Sequence, residues 1–201
     1  MLLTAHFIEQ FQAAIETYHI TDHIDQPFNS GNREGLNALL YKKAWVDTVQ
    51  WHLEDIIRDP QIDANYALQL KRRIDASNQT RTDLVEQLDD HLLEYLELPE
   101  NIHLPIPLNT ESIGWALDRL SILLLKIYHM RIEVDRNDAT DEHINQCKIR
   151  LIILEEQLED LSSAIDWLIT EVKQGKRRVK VYRQVKMYND PQLNPVLYKK
   201  K

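Results

Sequence analysis

The sequence predicts an all-α fold: a single-domain bundle of about five helices, with a long antiparallel C-terminal hairpin and a basic C-terminal tail. Three observations carry this. Only 4 Gly and 7 Pro punctuate 201 residues, so the helices must be long and the turns few. Apolar residues recur at intervals of three and four rather than two. From Ile144 to Val172 that spacing runs as a long seam of coiled-coil type. Hydrophobic content of 43% with 28% charged residues suits a globular chain able to bury a core without disulfides or metal.

Leu3, Phe7, Phe11, Ala14, Ile15 and Tyr18 line one face of a first helix over residues 3–19. Pro27, Gly31 and Gly35 break the chain after it. His19 and His23, four apart, could formally hold a metal, but no further ligand pattern accompanies them and no cofactor is expected. A second helix over 36–58 stops before Pro60. Its expected core face is Leu39, Val46, Val49, Leu53, Ile56 and Ile57, with Tyr41, Thr48, His52 and Asp55 on one flank. Glu54 and Arg58, also four apart, read as a solvated ion pair.

Asp63 caps a third helix over 63–97. The apolar phase set by Leu70 and Ile74 resumes at Leu84 and continues to Tyr95, but Ser77, Asn78 and Arg81 occupy the inward positions between. Either the middle of this helix is exposed or these residues form a polar layer inside the bundle. A buried Arg81 requires a carboxylate, and Asp118 is the candidate. Asp83 and Glu86, followed by Asp89 and Asp90, read as a solvent face and only weakly as cation ligands.

Three prolines make residues 98–110 an extended crossing of the bundle. Thr110 or Ser112 then caps a fourth helix over 111–130, apolar on two sides and therefore central. Lys126 on it should seek Glu54 or Asp55, while Leu120, Leu124 and Ile127 should seat residues 151–161 of the hairpin partner. The fifth helix spans 140–174 and ends at Gly175. The single cysteine, Cys147, sits on its apolar stripe, which excludes an intramolecular disulfide.

Net charge is −8 overall but divided. Residues 1–172 hold 14 Lys+Arg against 31 Asp+Glu, and residues 173–201 hold 10 against 1. So acidic a bundle would repel nucleic acid, and the arm over 175–201 should pack on the bundle or on a neighbour, which leaves room for a homo-oligomer. Neither a signal segment nor a membrane span is evident, so a cytoplasmic location is expected.

The segments WVDTVQWHLEDIIRDP, IDASNQTRTDLVE, LDRLSILLLKIYHM and VYRQVKMYNDPQLNPVLY together resemble a bacterial domain-of-unknown-function family of helical proteins of about this length, over residues 39–198. The resemblance implies a cytoplasmic helical protein encoded near glycosyltransferases for lipopolysaccharide and other surface glycans. Its partners would then be glycan-biosynthesis proteins or an anionic small molecule. The ligand-binding candidates in its words are His52, Glu54, Asp55, Arg58, Asn78, Arg81, Asp118, Arg119 and Lys126. Asp83 and Glu86 are weak metal candidates, and catalytic residues stay unknown. The expected function is a binding or assembly factor in surface-glycan biosynthesis. The alternative is a metal-dependent hydrolase of a nucleotide or nucleotide-sugar, with Glu54, Asp55, Asp83 and Glu86 as two acidic pairs.

Overall fold

The computed structural model describes residues 3–95, 105–185, 187 and 190–199. Five long helices form the bundle: α1 Leu3–Thr21, α2 Gly35–Ile56, α3 Ala64–Tyr95, α4 Ile113–Val134 and α5 Asp141–Lys173, followed by a short α6, Pro195–Tyr198. The side chain of Tyr95, the end of the third helix at Glu97 and the first half of the proline-rich crossing lie outside the described residues. The helix starts follow from capping. Asp63 Oδ1 accepts from Tyr66 N at 2.9 Å, and the Ser112 and Thr140 side chains accept from Trp115 N and His143 N. Gly175, at φ +66°, ends α5 by letting Lys176 N reach back to Glu171 O at 2.9 Å.

α4 is the hub, packing against α1, α2, α3 and α5. Leu117, Leu120, Leu124 and Leu125 on it are buried against Phe7, Phe11, Leu40, Leu88 and Ile165 from the surrounding helices. α5 packs only on α4 and α1 among the described residues. The expected seam is deepest toward its C-terminal end, where Ile165, Leu168, Ile169 and Val172 are buried, and is buried again at Cys147 near its start. Leu151, Leu154, Leu158 and Leu161 are half-buried, and Ile149 and Ile152 face solvent.

The buried face of α2 differs from the expected one. Val46, Val49, Ile56 and Ile57 are half-buried, whereas Leu40, Tyr41, Ala44, Trp45 and Thr48 are buried, and so are Lys43 and Asp47. The true face follows 40, 43, 44, 47 and 48 and runs through two charges, which an apolar count steps around.

Asp89 also departs from the solvent face expected of it. It is buried and accepts from Ser112 Oγ and Gly114 N, each at 2.6 Å, placing a carboxylate at the N-terminus of α4. Burial, the larger influence, pushes its carboxyl up, against the pull of those two donors. The close approach depends on Gly114, where a Cβ would lie 2.6 Å from Val85 O and 2.7 Å from Asp89 Cγ.

Beyond α5 the basic segment returns to the bundle. Arg178 forms an isolated parallel bridge with Leu108, with Asn109 N donating to Arg178 O at 2.9 Å. Arg183 then donates from Nη2 to both oxygens of Asp90 at 2.8 Å, and Gln184 N donates to Glu86. Exposed ion pairs of this kind add little stability. Gly114→Ala is expected to lower unfolding free energy by about 1–3 kcal/mol through overpacking, and a chemical denaturation midpoint equal to wild type would contradict the tight α3–α4 contact.

Candidate functional site

The polar gap in α3 faces inward. Ser77 Oγ donates to Gln50 Oε1 at 3.0 Å, and Gln50 Nε2 donates to Asn78 Oδ1 at 2.8 Å, tying α3 to α2. One turn on, Arg81 grips Asp118 with two parallel hydrogen bonds, Nε to Oδ1 at 2.7 Å and Nη2 to Oδ2 at 2.5 Å. Such a bidentate fork fixes direction as well as distance.

The pair is half of a larger layer. Lys43 Nζ, fully buried, stands 3.0 Å from Asp118 Oδ1 and is hydrogen-bonded to Asp47. Asp47 also accepts from Ser121 Oγ at 2.6 Å, and its Oδ1 lies 3.6 Å from Arg81 Nε. Two acids and two bases from α2, α3 and α4 thus neutralise one another in the core. Burial alone would raise the Asp118 carboxyl, but the Arg81 hydrogen bond and the charges of Lys43 and Arg81 outweigh it and hold the group below the ordinary range. At Asp47 the balance tips the other way: burial raises its carboxyl despite Lys43. Asp47 Oδ1 has no hydrogen-bond donor among the described residues.

Above this layer α5 leaves a groove. Its floor is α4, one wall is α5, and the other is formed by α2 and α3. Two recesses of about 550 and 530 Å³ lie along it, and a third of about 340 Å³, between α2, α3 and α4, shares Trp51 and Asp55 with the first and Arg81 and Ile122 with the second. Trp51, Lys126, His129, Met130, Arg150 and Leu154 line the largest. Arg81, Asp118, Arg119, Lys126 and Leu161 line the second, and Asp47, Glu54, Asp55, Arg58 and Arg81 the third.

Of the residues singled out from sequence, Arg81, Asp118, Arg119, Lys126, Glu54, Asp55 and Arg58 therefore border one groove. Several are engaged at its rim: Arg58 pairs with Glu54 at 3.1 Å and Arg119 with Glu111 at 3.0 Å. Lys126 does not meet Glu54 or Asp55 as expected; among the described residues it has no carboxylate within 4.0 Å, and it lines both larger recesses instead. Asn78 is taken up by Gln50, and His52, near the C-terminus of α2, does not line these recesses but turns to His19. Asp83 accepts from Gln79, and Glu86 is occupied by Arg183 and Gln184, so neither joins Glu54 and Asp55. Sequence reasoning missed Lys43 and Asp47; their one signal was a charged pair, four apart, in phase with Leu40 and Ala44.

Fold and site together define an all-α bundle with a polar core beneath an open groove. The chain belongs to the family described as Protein of unknown function (DUF4254), whose family model matches residues 37–181. No curated protein and no solved structure matches it.

Lys43→Met leaves buried Asp47 with only Ser121 and the more distant Arg81, while Asp118 keeps its Arg81 fork, and is expected to cost about 3–5 kcal/mol. Arg81→Leu should cost less, since 29% of that side chain is exposed, yet more than Arg81→Leu with Asp118→Leu, which leaves Lys43 and Asp47 balanced. Urea unfolding of the three variants gives the order. Because the folded carboxyl of Asp118 lies below its unfolded value, its contribution is complete above about pH 4. It is lost as pH falls through the folded value, so Asp118→Asn should flatten the acid limb of a melting-temperature profile.

Proposed function

We propose that this chain is a cytoplasmic binding protein in surface-glycan production, whose groove holds an anionic small molecule with an apolar or aromatic part. The glycan setting rests on the family resemblance. The ligand chemistry rests on one observation: Lys126 and Arg150 line the largest recess without an ion pair or side-chain hydrogen bond to any described residue, beside Trp51, Met130 and Leu154. Asp55 and Glu133 line the same recess, with Glu133 already held by Arg136 and His143; two cations without a carboxylate partner among the described residues, beside apolar side chains, suit a phosphate or carboxylate borne on a larger body. Nucleotide-sugars have this chemistry.

The hydrolase reading is less well supported. It needs Glu54, Asp55, Asp83 and Glu86 to converge on a metal, and three of them are engaged elsewhere, with Arg58, Gln79 and Arg183.

A panel of nucleotide-sugars and nucleoside diphosphates, followed by thermal shift and calorimetry, tests the binding reading. At least one should raise the melting temperature. Lys126→Glu should then weaken that ligand by about tenfold or more, the loss of one charge-assisted contact, while Asp83→Asn should not. No response across the panel, with the native protein reproducibly isolated alone, would sink the proposal.

A further inference from the structure

Where α1, α2 and α4 meet, a second cluster lies outside the charge layer. His19 from the last turn of α1, His52 from α2 and His129 from α4 offer ring nitrogens that all lie within 4.8 Å of one another. His19 Nε2 and His52 Nε2 are 3.2 Å apart. The three imidazole centroids are separated by 5.2, 5.2 and 5.5 Å, with ring planes inclined at 64°, 75° and 71°. This near-threefold arrangement matches what a tetrahedral ion requires. With zinc–nitrogen bonds of about 2.0–2.1 Å, ligand nitrogens sit roughly 3.3 Å apart and their ring centres roughly 5 Å apart.

The plainer account is three imidazoles packed as ordinary aromatic rings, and two features speak against it. His129 Nε2 is buried without a hydrogen-bond partner among the described residues, a cost that packing alone does not offset. His19 Nδ1 lies 2.7 Å from Ile15 O. A carbonyl only accepts, so Nδ1 carries the proton, and in the neutral ring Nε2 presents its lone pair to the other two histidines. A far nitrogen donating to a carbonyl is the usual orienting contact of a metal-bound histidine.

Each ring also has its own aromatic backing: Tyr128 at 4.2 Å from His19, Tyr18 at 5.3 Å from His52 and Trp51 at 4.8 Å from His129. Asp22, at φ +52° just past α1, brings Oδ1 to 3.5 Å from His52 Nε2 with its side chain more than half exposed. Burial first, then neighbouring imidazoles, lowers His129 to about 4, and burial lowers His52 against the opposing pull of Asp22.

We propose that His19, His52 and His129 form a binding site for a divalent first-row transition ion, zinc foremost, with a fourth position open toward Asp22. Three imidazoles plus an open position is the ligand set of reactive rather than purely structural zinc. His129 also borders the groove, so the ion would stand at its end. The other candidate set, Glu133, His143 and Cys147 at the hairpin tip, is less favourable because Glu133 is already held by Arg136 at 3.0 Å.

The full chain, stripped with a chelator, is titrated with Zn²⁺ against a chromophoric competitor and with Co²⁺ read in the visible. The expected result is one ion per chain, the d–d bands of a tetrahedral nitrogen-rich Co²⁺ site, and no thiolate charge-transfer band. His129→Ala should weaken Zn²⁺ by about 100-fold or more, and His143→Ala should not change it. Should His129→Ala not fold, imidazole ¹⁵N shifts of the wild-type chain decide: of 8 histidines, Zn²⁺ should move His19, His52 and His129. No binding at micromolar Zn²⁺, a thiolate band, loss of binding in His143→Ala, or shifts at other histidines only would overturn the proposal.

Discussion

Everything in the bundle is arranged around a lysine ammonium with no access to water. Lys43 Nζ is fully buried and is shared by Asp47, one turn along its own helix, and Asp118, across on α4. A cation removed from water is tolerable only when carboxylates close around it and are themselves satisfied, and here Arg81 donates to Asp118 and Ser121 to Asp47. The pairings are directional, so sliding α2, α3 or α4 by one residue would break several at once. An apolar layer at the same place would accept such a slip at small cost. The charge layer thus specifies the register of three helices more than it adds to their stability, and the groove above it inherits that register.

Much of the architecture could be read from periodicity. The five long helices, the cap at Asp63, the choice of Thr110 or Ser112 as the next cap, the stop at Gly175 and the centrality of α4 follow from local chemistry, whereas the Thr140 cap was not read. Arg81 opposite Asp118 was legible because a gap in one apolar phase and a charge in another demand each other. Lys43 and Asp47 were not. Four residues apart on a helix, they look like one more surface pair, and only the position of α4 over them decides otherwise. For the same reason Asp89 reads as part of an acidic face until Gly114 allows α4 close enough to use it.

The histidines show the limit of local reading most plainly. His19 and His23 are adjacent on a helical wheel and invite pairing, yet His23 Nδ1 accepts from Asp25 N in the loop. His19 instead meets residues 33 and 110 positions away, His52 and His129, in a contact created wholly by how α1 and α4 cross α2. No spacing rule carries that information.

α5 is fastened unevenly. Its C-terminal half is sunk in the core and pinned to the chain start, where Thr4 N donates to Asp166 and Thr4 Oγ1 to Ser162 O. Its N-terminal half packs on α4, burying Cys147, with the exposed Arg131–Glu155 pair across the contact. Mechanically the helix is clamped at its C-terminal end by two neighbours, while the stretch that walls the groove is supported by its hairpin partner.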